Sequence, residues 1–207
     1  MSRGLFFTFE GIDGCGKTTQ AGLLFERLAS RFGSDSVIWT REPGGWEGGE
    51  RLRELLLSAG TKHPMSEPFL FTADRCEHVA RVIAPALASG RTVLCERYTD
   101  STVAYQSWGR GVPLSMIEEM FRWCAFPAPD LTFLIDVPPG TALKRAVLRG
   151  RLDFMEKKGS PFLEKVREGF LFLSGREPER IIRFDGCLDI ERLADEIGGK
   201  AEVFLSR

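Results

Sequence analysis

The densest chemistry in the chain lies near its amino end. Gly11-Ile12-Asp13-Gly14-Cys15-Gly16-Lys17-Thr18-Thr19 matches G-x-x-x-x-G-K-[ST]. Such a loop wraps phosphate oxygens with backbone N–H groups, sends its lysine to the β- and γ-phosphates and offers its hydroxyl to Mg²⁺. The run follows the apolar segment Leu5–Glu10 and opens a helical stretch, and a helix amino terminus favours anions. Gly11 through Thr19 are therefore the expected residues for a nucleoside triphosphate, with Mg²⁺ as the accompanying ion. A glycine turn with a solvated lysine would leave the placement of Thr18 unexplained. The loop names a nucleoside triphosphate and leaves phosphotransferase, GTPase switch and motor-like ATPase open. The guanine-reading run Asn-Lys-x-Asp is excluded because the chain contains no asparagine, and 207 residues is short for an ATPase that works on macromolecules.

Other clusters point to a second anionic ligand. Thr40-Arg41-Glu42-Pro43-Gly44-Gly45 sits just past an apolar segment; Phe71 and Arg75 are one helical turn apart; Glu96-Arg97-Tyr98 ends another apolar run. Thr102, Tyr105 and Gln106 follow on a short helix, and Arg149-Gly150-Arg151-Leu152-Asp153 begins a charged segment that closes at Pro161. Arginine offers a planar fork to phosphate oxygens, and an aromatic face suits a flat base. Trp108 reads as core or cleft rim. His63 and His78 read as surface or helix-face residues without a catalytic role.

The elements that must position these groups alternate. Strands are expected at Leu5–Glu10, Val37–Thr40, Thr92–Glu96, Leu131–Asp136 and Ile181–Phe184. Helices are expected at Lys17–Phe32 (Leu23, Leu24, Leu28 and Phe32 on one face), Gly49–Ser58, Glu67–Ser89 with an irregularity at Pro85, Pro113–Ala125, Pro138–Gly150, Pro161–Leu173 and Ile190–Leu205. Strands separated by helices imply right-handed crossovers and a parallel sheet, with ligands at its carboxyl edge.

Composition narrows the partners. Lysine plus arginine number 28 against 29 acidic residues, a net charge of −1, so a dedicated nucleic-acid binder is not expected. No apolar run approaches 18 residues, so no membrane span is expected, and the amino end lacks a signal-peptide pattern. The five cysteines, Cys15, Cys76, Cys95, Cys124 and Cys187, make neither C-x-x-C nor zinc spacing. They read as small apolar fillers in a reduced cytoplasmic enzyme.

Taken in order, Phe9-Glu10-Gly11, Thr40 through Gly45, Gly49-Glu50-Arg51-Leu52-Arg53, Phe71 through Arg75, Arg97-Tyr98, Ala104-Tyr105-Gln106, Gly109-Arg110-Gly111, Pro129-Asp130-Leu131-Thr132 and Val166 through Phe170 make nearly the whole chain resemble the bacterial thymidylate kinase family. These are P-loop enzymes that phosphorylate dTMP to dTDP with ATP. The resemblance implies a three-layer α/β/α fold with a five-stranded parallel sheet, a single domain over residues 1–207 and a short mobile lid at about 149–161. It places Arg41 and Arg97 on the acceptor phosphate, with Glu42 and Pro43 in that pocket and Arg53 lining the cleft. Phe71 would stack on thymine, Arg75 and Gln106 would hydrogen-bond the base with Thr102 beside it, and Tyr105 would pack near the deoxyribose. Asp13 would lie by the 3′-hydroxyl or the metal, and Arg145 and Asp185-Gly186 would border adenine. ATP and dTMP are then the partners. A homodimer is implied, with Phe69–Ala88 and Met116–Phe126 as stretches that could supply its face.

One variant within the family and three departures from its pattern matter. The phosphate loop has no basic residue at positions 12–15, so the catalytic arginine falls to the lid, to Arg149 or Arg151. Phe154 stands where the lid commonly has arginine, and Ser107 replaces a usual glycine after Tyr-Gln. Glu96 stands where the family usually has aspartate; with Thr18 it is the expected metal-side pair, and Lys17, Arg97, Asp13 and Glu96 complete the catalytic set. Two alternatives remain. A deoxynucleoside kinase would phosphorylate a 5′-hydroxyl and need a carboxylate base, Glu42 or Glu96. A non-catalytic nucleotide-binding regulator would release no ADP in response to dTMP.

Overall fold

The structure is a computed structural model that describes residues 3–59, 61–148 and 159–206. Five strands, β1 (Phe6–Glu10), β2 (Val37–Arg41), β3 (Thr92–Glu96), β4 (Leu131–Asp136) and β5 (Ile181–Asp185), form one sheet in the order β2-β3-β1-β4-β5. Every pairing is parallel. The helices are α1 (Lys17–Phe32), α2 (Gly49–Glu54), α3 (Ser66–His78), α4 (Ala84–Ala88), α5 (Thr99–Thr102), α6 (Leu114–Cys124), α7 (Pro139–Leu148), α8 (Ser160–Arg176) and α9 (Ile190–Leu205).

β1 is buried along its whole length. Its side chains alternate faces with period two, and they enter two different cores. Phe7 and Phe9 join the larger one with Leu24 and Leu28 of α1, Phe133 and Ile197. Phe6 joins the smaller one with Ile83, Leu87, Val93 and Tyr98. The connection leaving β1 runs to β2 on one side of the sheet, whereas the connection leaving β3 crosses to β4 on the other. The neighbours β1 and β3 therefore flank the crevice where open parallel sheets bind ligands. Register aligns their ends, with Phe9 opposite Glu96 and Arg41 opposite Glu96.

The alternation expected from sequence holds, with β3 and β4 at the expected bounds. Four local expectations do not. Phe32 is exposed and Leu23 only half-buried, because the face that α1 buries runs through Gln20, Ala21, Leu24 and Leu28. The helix expected over 67–89 is α3 and α4 joined by a π-helical turn, Val79–Ile83, so the irregularity lies before Pro85. Proline has no N–H for the carbonyl four residues earlier, and widening the preceding turn accommodates that loss. Similar wide turns end α2 (Leu55–Ala59) and follow α5 (Val103–Gly109). Finally, Cys15 and Cys95 are buried fillers, but Cys76 and Cys187 are exposed and Cys124 is half-buried.

Candidate active site

The phosphate loop joins β1 to α1. Gly11, Gly14 and Gly16 have φ of 138°, 81° and 105°, conformations that side chains with a Cβ rarely adopt. A Cβ on Gly11 would strike the Ile135 carbonyl, and one on Gly14 the Ala142 carbonyl, so the loop lies tight on the ends of β4 and α7. Lys17 folds across it, its Nζ donating to Gly11 O and Ile12 O at 2.9 Å each. Thr18 Oγ1 donates to Glu96 Oε2 at 2.6 Å, and Trp39 Nε1 donates to Glu96 Oε1 at 3.1 Å. Thr18 and Thr19 are exposed at the start of α1. Arg145 Nη1 reaches Cys15 O at 3.5 Å, and just past the end of β5 Gly186 N donates to Asp136 O at 2.9 Å.

Across from the loop lies a cavity of about 220 Å³, lined among others by Asp13, Lys17, Arg41, Arg53, Phe71, Arg75, Arg97, Tyr105 and Gln106. Glu42, Pro43, Thr18, Glu96 and Thr102 also line it. All the acceptor-side residues expected from sequence are thus brought together. Arg149 and Arg151, with the rest of the lid from 149 to 158, lie outside the described residues.

Arg97 ties the two walls. It ends β3 with φ of 64°, a region disfavoured for residues with a Cβ and typical of functional sites. That conformation is pinned by its N–H bonding Phe9 O at 2.9 Å. Its guanidinium pairs with Asp13 and lies 5.0 Å from the centre of the Tyr105 ring. Tyr105 in turn donates to Asp13 Oδ2 at 2.6 Å. Burial alone would raise the Asp13 pKa, but Arg97, Lys17 and the Tyr105 hydroxyl outweigh it and hold the carboxyl below its usual range. Arg53 shows the converse. Burial first, then the charge of Arg41 nearby, pulls its pKa down.

A second buried network sits behind the pocket. Arg75 is 1% exposed; its Nε donates to Glu42 Oε2 at 2.7 Å and its Nη2 to Tyr98 O and Thr102 Oγ1. Its Nη1 is buried without a hydrogen-bond partner. His78 bonds Glu42 Oε1 at 3.0 Å and Thr40 Oγ1 at 2.7 Å. Of the surface or helix-face reading of His78 the surface half is corrected: it ends α3, is fully buried and orients the pocket carboxylate. One signal was available, since positions 71, 75 and 78 share a helical face. Glu42, His78 and Cys95 also place ligand atoms within 4.8 Å of one another, but both Glu42 oxygens already serve Arg75 and His78.

Beneath the cavity Glu10 accepts from Tyr98 N at 2.7 Å and from Ser101 N and Oγ at 3.2 and 2.6 Å. Burial, then the charge of Asp100, pushes its pKa up to about 7. No role for Glu10 was legible in the sequence. Asp136, at the end of β4, pairs with Arg167 and Arg183 at 2.7 Å each.

A phosphate loop at the centre of a parallel sheet, facing an arginine-lined pocket with an aromatic wall, defines a P-loop protein of the nucleotide kinase class. The sequence profile of the thymidylate kinase family matches residues 9–197. The chain is 44% identical over 198 residues to the thymidylate kinase of Geobacter sp. (strain M21), covering 91% of this chain and 87% of that one. It is 42% identical over 206 residues to the thymidylate kinase of Pelotomaculum thermopropionicum, covering 94% of each. Its fold superposes on the crystal structure of thymidylate kinase from Ehrlichia chaffeensis with a TM-score of 0.81 at 35% identity, covering 97% of this chain and 99% of that one. The chain belongs to the thymidylate kinase family.

Proposed function

We propose that this chain transfers the γ-phosphoryl group of ATP to the 5′-phosphate of dTMP, giving dTDP and ADP. The observation that carries the reading is the cavity that holds Lys17 of the phosphate loop together with Arg41, Arg53, Arg97 and Phe71. A donor phosphate and an acceptor phosphate can face each other there, with an aromatic ring for the base. Phosphoryl transfer needs alignment and charge neutralisation more than covalent catalysis. A phosphate monoester, with a second pKa of about 6, is already anionic at neutral pH, so no strong base is needed. The 5′-hydroxyl alternative would require one, and both oxygens of Glu42 are engaged by Arg75 and His78.

In this reading Gly11, Ile12, Gly14, Cys15, Gly16 and Thr19 cradle ATP, Lys17 spans its β- and γ-phosphates, and Arg145 borders the adenine. Arg41, Arg53 and Arg97 take the dTMP phosphate, within the pocket that Glu42 and Pro43 shape. Phe71 stacks on the base, Arg75 and Gln106 read its edge beside Thr102, and Tyr105 with Asp13 flanks the sugar. Thr18 and Glu96 are adjacent hard oxygen donors that fit a magnesium ion. The ion supplies charge neutralisation at the phosphates when ATP is bound. The loop carries no arginine, so Arg149 or Arg151 supplies the transition-state charge from the lid, in a single domain spanning residues 1–207. Among the described residues no helix is long and apolar enough to cross a membrane; a homodimer working in the cytoplasm accompanies the reading.

Coupled ADP release across a panel of nucleoside monophosphates, with thymidine as control, tests it. Release is expected with dTMP and Mg²⁺. Turnover with thymidine but not dTMP, or none that depends on either, would overturn the proposal.

A further inference from the structure

Resting on the base-reading role proposed for Gln106 and Arg75, the geometry points to Glu67 as the positioning residue that decides which end of the Gln106 carboxamide meets the base. Glu67 stands in the first turn of α3 and is 1% exposed. Its Oε2 accepts from Gln106 Nε2 at 3.4 Å, and its Oε1 is ion-paired with Arg110, the residue just past the π-helical turn that carries Gln106.

A carboxylate only accepts hydrogen bonds, whereas a carboxamide has one donating and one accepting end. Turning the amide oxygen toward Glu67 would set acceptor against acceptor between two residues that are each 1% exposed, a costly arrangement for buried groups. Gln106 must therefore give its NH₂ to Glu67, which leaves Oε1 as the end available to the cavity it lines. Arg110 is the cation that faces this carboxylate in its buried surroundings.

On the same cavity Arg75 holds a buried Nη1 with no partner. The wall thus offers one donor and one acceptor. Their complement is a pyrimidine edge with a keto oxygen beside a ring N–H, as in thymine. Cytosine carries an amino group and a bare ring nitrogen there, which reverses both contacts. A carboxamide freed from Glu67 could rotate and give its NH₂ to the cytosine ring nitrogen. Glu67 never touches the base, yet it sets the sign of the hydrogen bond that separates the two pyrimidines.

The test is steady-state kinetics with dTMP and dCMP on wild type, Glu67→Gln, Glu67→Asp and the double variant Glu67→Gln/Arg110→Gln. The double variant replaces the ion pair by two amides and leaves no lone buried charge, so it carries the measurement if the single variant does not fold. In Glu67→Gln and the double variant, KM for dTMP is expected to rise more than kcat falls. The dTMP-to-dCMP ratio of kcat/KM is expected to drop roughly 10- to 100-fold, the scale of one mispaired buried polar contact. Glu67→Asp should restore most of the ratio. A folded variant that slows both substrates equally, with the ratio at the wild-type value, overturns the assignment and leaves Glu67 a structural residue. Wild-type activity is measured first. Its absence with dTMP would sink the proposed function itself, a result distinct from an unchanged ratio.

Discussion

The two walls of the cleft are built on different principles. The donor wall is one contiguous stretch, Gly11–Thr19, whose working parts are backbone N–H groups, a helix end and one lysine. The acceptor wall is drawn from the ends of β2 and β3, one face of α3 and the wide turn after α5. Glu42 and Arg75 are 33 residues apart in the chain and Arg75 and Thr102 are 27. Its Glu42–Arg75 pair is buried, whereas Arg41 at its rim is half exposed, so the inner part of this wall also holds the fold. The difference predicts that changes on the donor side spare stability and that changes in the buried part of the acceptor side do not.

The sharpest way to break that comparison is Lys17→Ala. Activity should fall on the order of 10³-fold or more, while stability changes by about 1–2 kcal/mol, the worth of two hydrogen bonds to backbone carbonyls. Turnover and thermal unfolding of the same preparation check it; near-wild-type turnover in a folded protein would refute the donor assignment.

Glu42→Gln probes the other wall. It leaves the buried Arg75 without its counter-charge, and removing one partner of a buried pair costs about 3–5 kcal/mol. Urea unfolding should show that loss together with a raised KM for dTMP. Loss of binding without loss of stability would contradict the coupling.

Glu10→Gln sharpens the same point through pH. The folded protein holds Glu10 protonated up to about 7, whereas the unfolded chain releases that proton near the ordinary glutamate value of about 4.3. The folded state therefore binds more protons between these values, and wild-type stability falls as pH rises through that window. Glutamine removes this dependence, so the variant should gain on wild type by on the order of 3 kcal/mol between pH 4.5 and 7. Parallel stability–pH curves would show that Glu10 ionises normally.

Glu96→Gln tests the metal side. It should lose about 10²-fold in kcat, the scale of one positioned electrostatic group, and weaken the magnesium requirement, whereas Glu96→Asp keeps substantial activity. The measurement is kcat against Mg²⁺ concentration for the three proteins. If glutamine matches wild type while aspartate fails, length rather than charge governs the position.

The smallest effect belongs to Glu50→Ala. The Arg41–Glu50 pair is 2.7 Å long but 51% and 64% exposed, and such pairs contribute less than about 1 kcal/mol. A larger loss in chemical denaturation would place this rim pair with the buried networks.

The phosphate loop, the alternating strands and the sheet's parallel character were legible in the sequence because each rests on local pattern. A glycine spacing, a period of two or four and an apolar run are contiguous, and the steric limits on backbone dihedrals act over a few residues. The acceptor residues were legible through the family resemblance, and the structure brings them onto one cavity. The pairing of His78 with Glu42, the raised pKa of Glu10 and the pairing of Glu67 with Gln106 and Arg110 were not legible. Each depends on which side chains meet across elements distant in sequence. A lone histidine or glutamate on a helix carries no mark of the carboxylate or amide it will face. Water exclusion, which turns an ordinary pair into a strong one, exists only once the elements have packed. The sequence by itself therefore determined the donor chemistry and the layer order. The tertiary structure alone decided which of these charges are buried, which partners orient them and which atom of Arg75 is left without a hydrogen-bond partner.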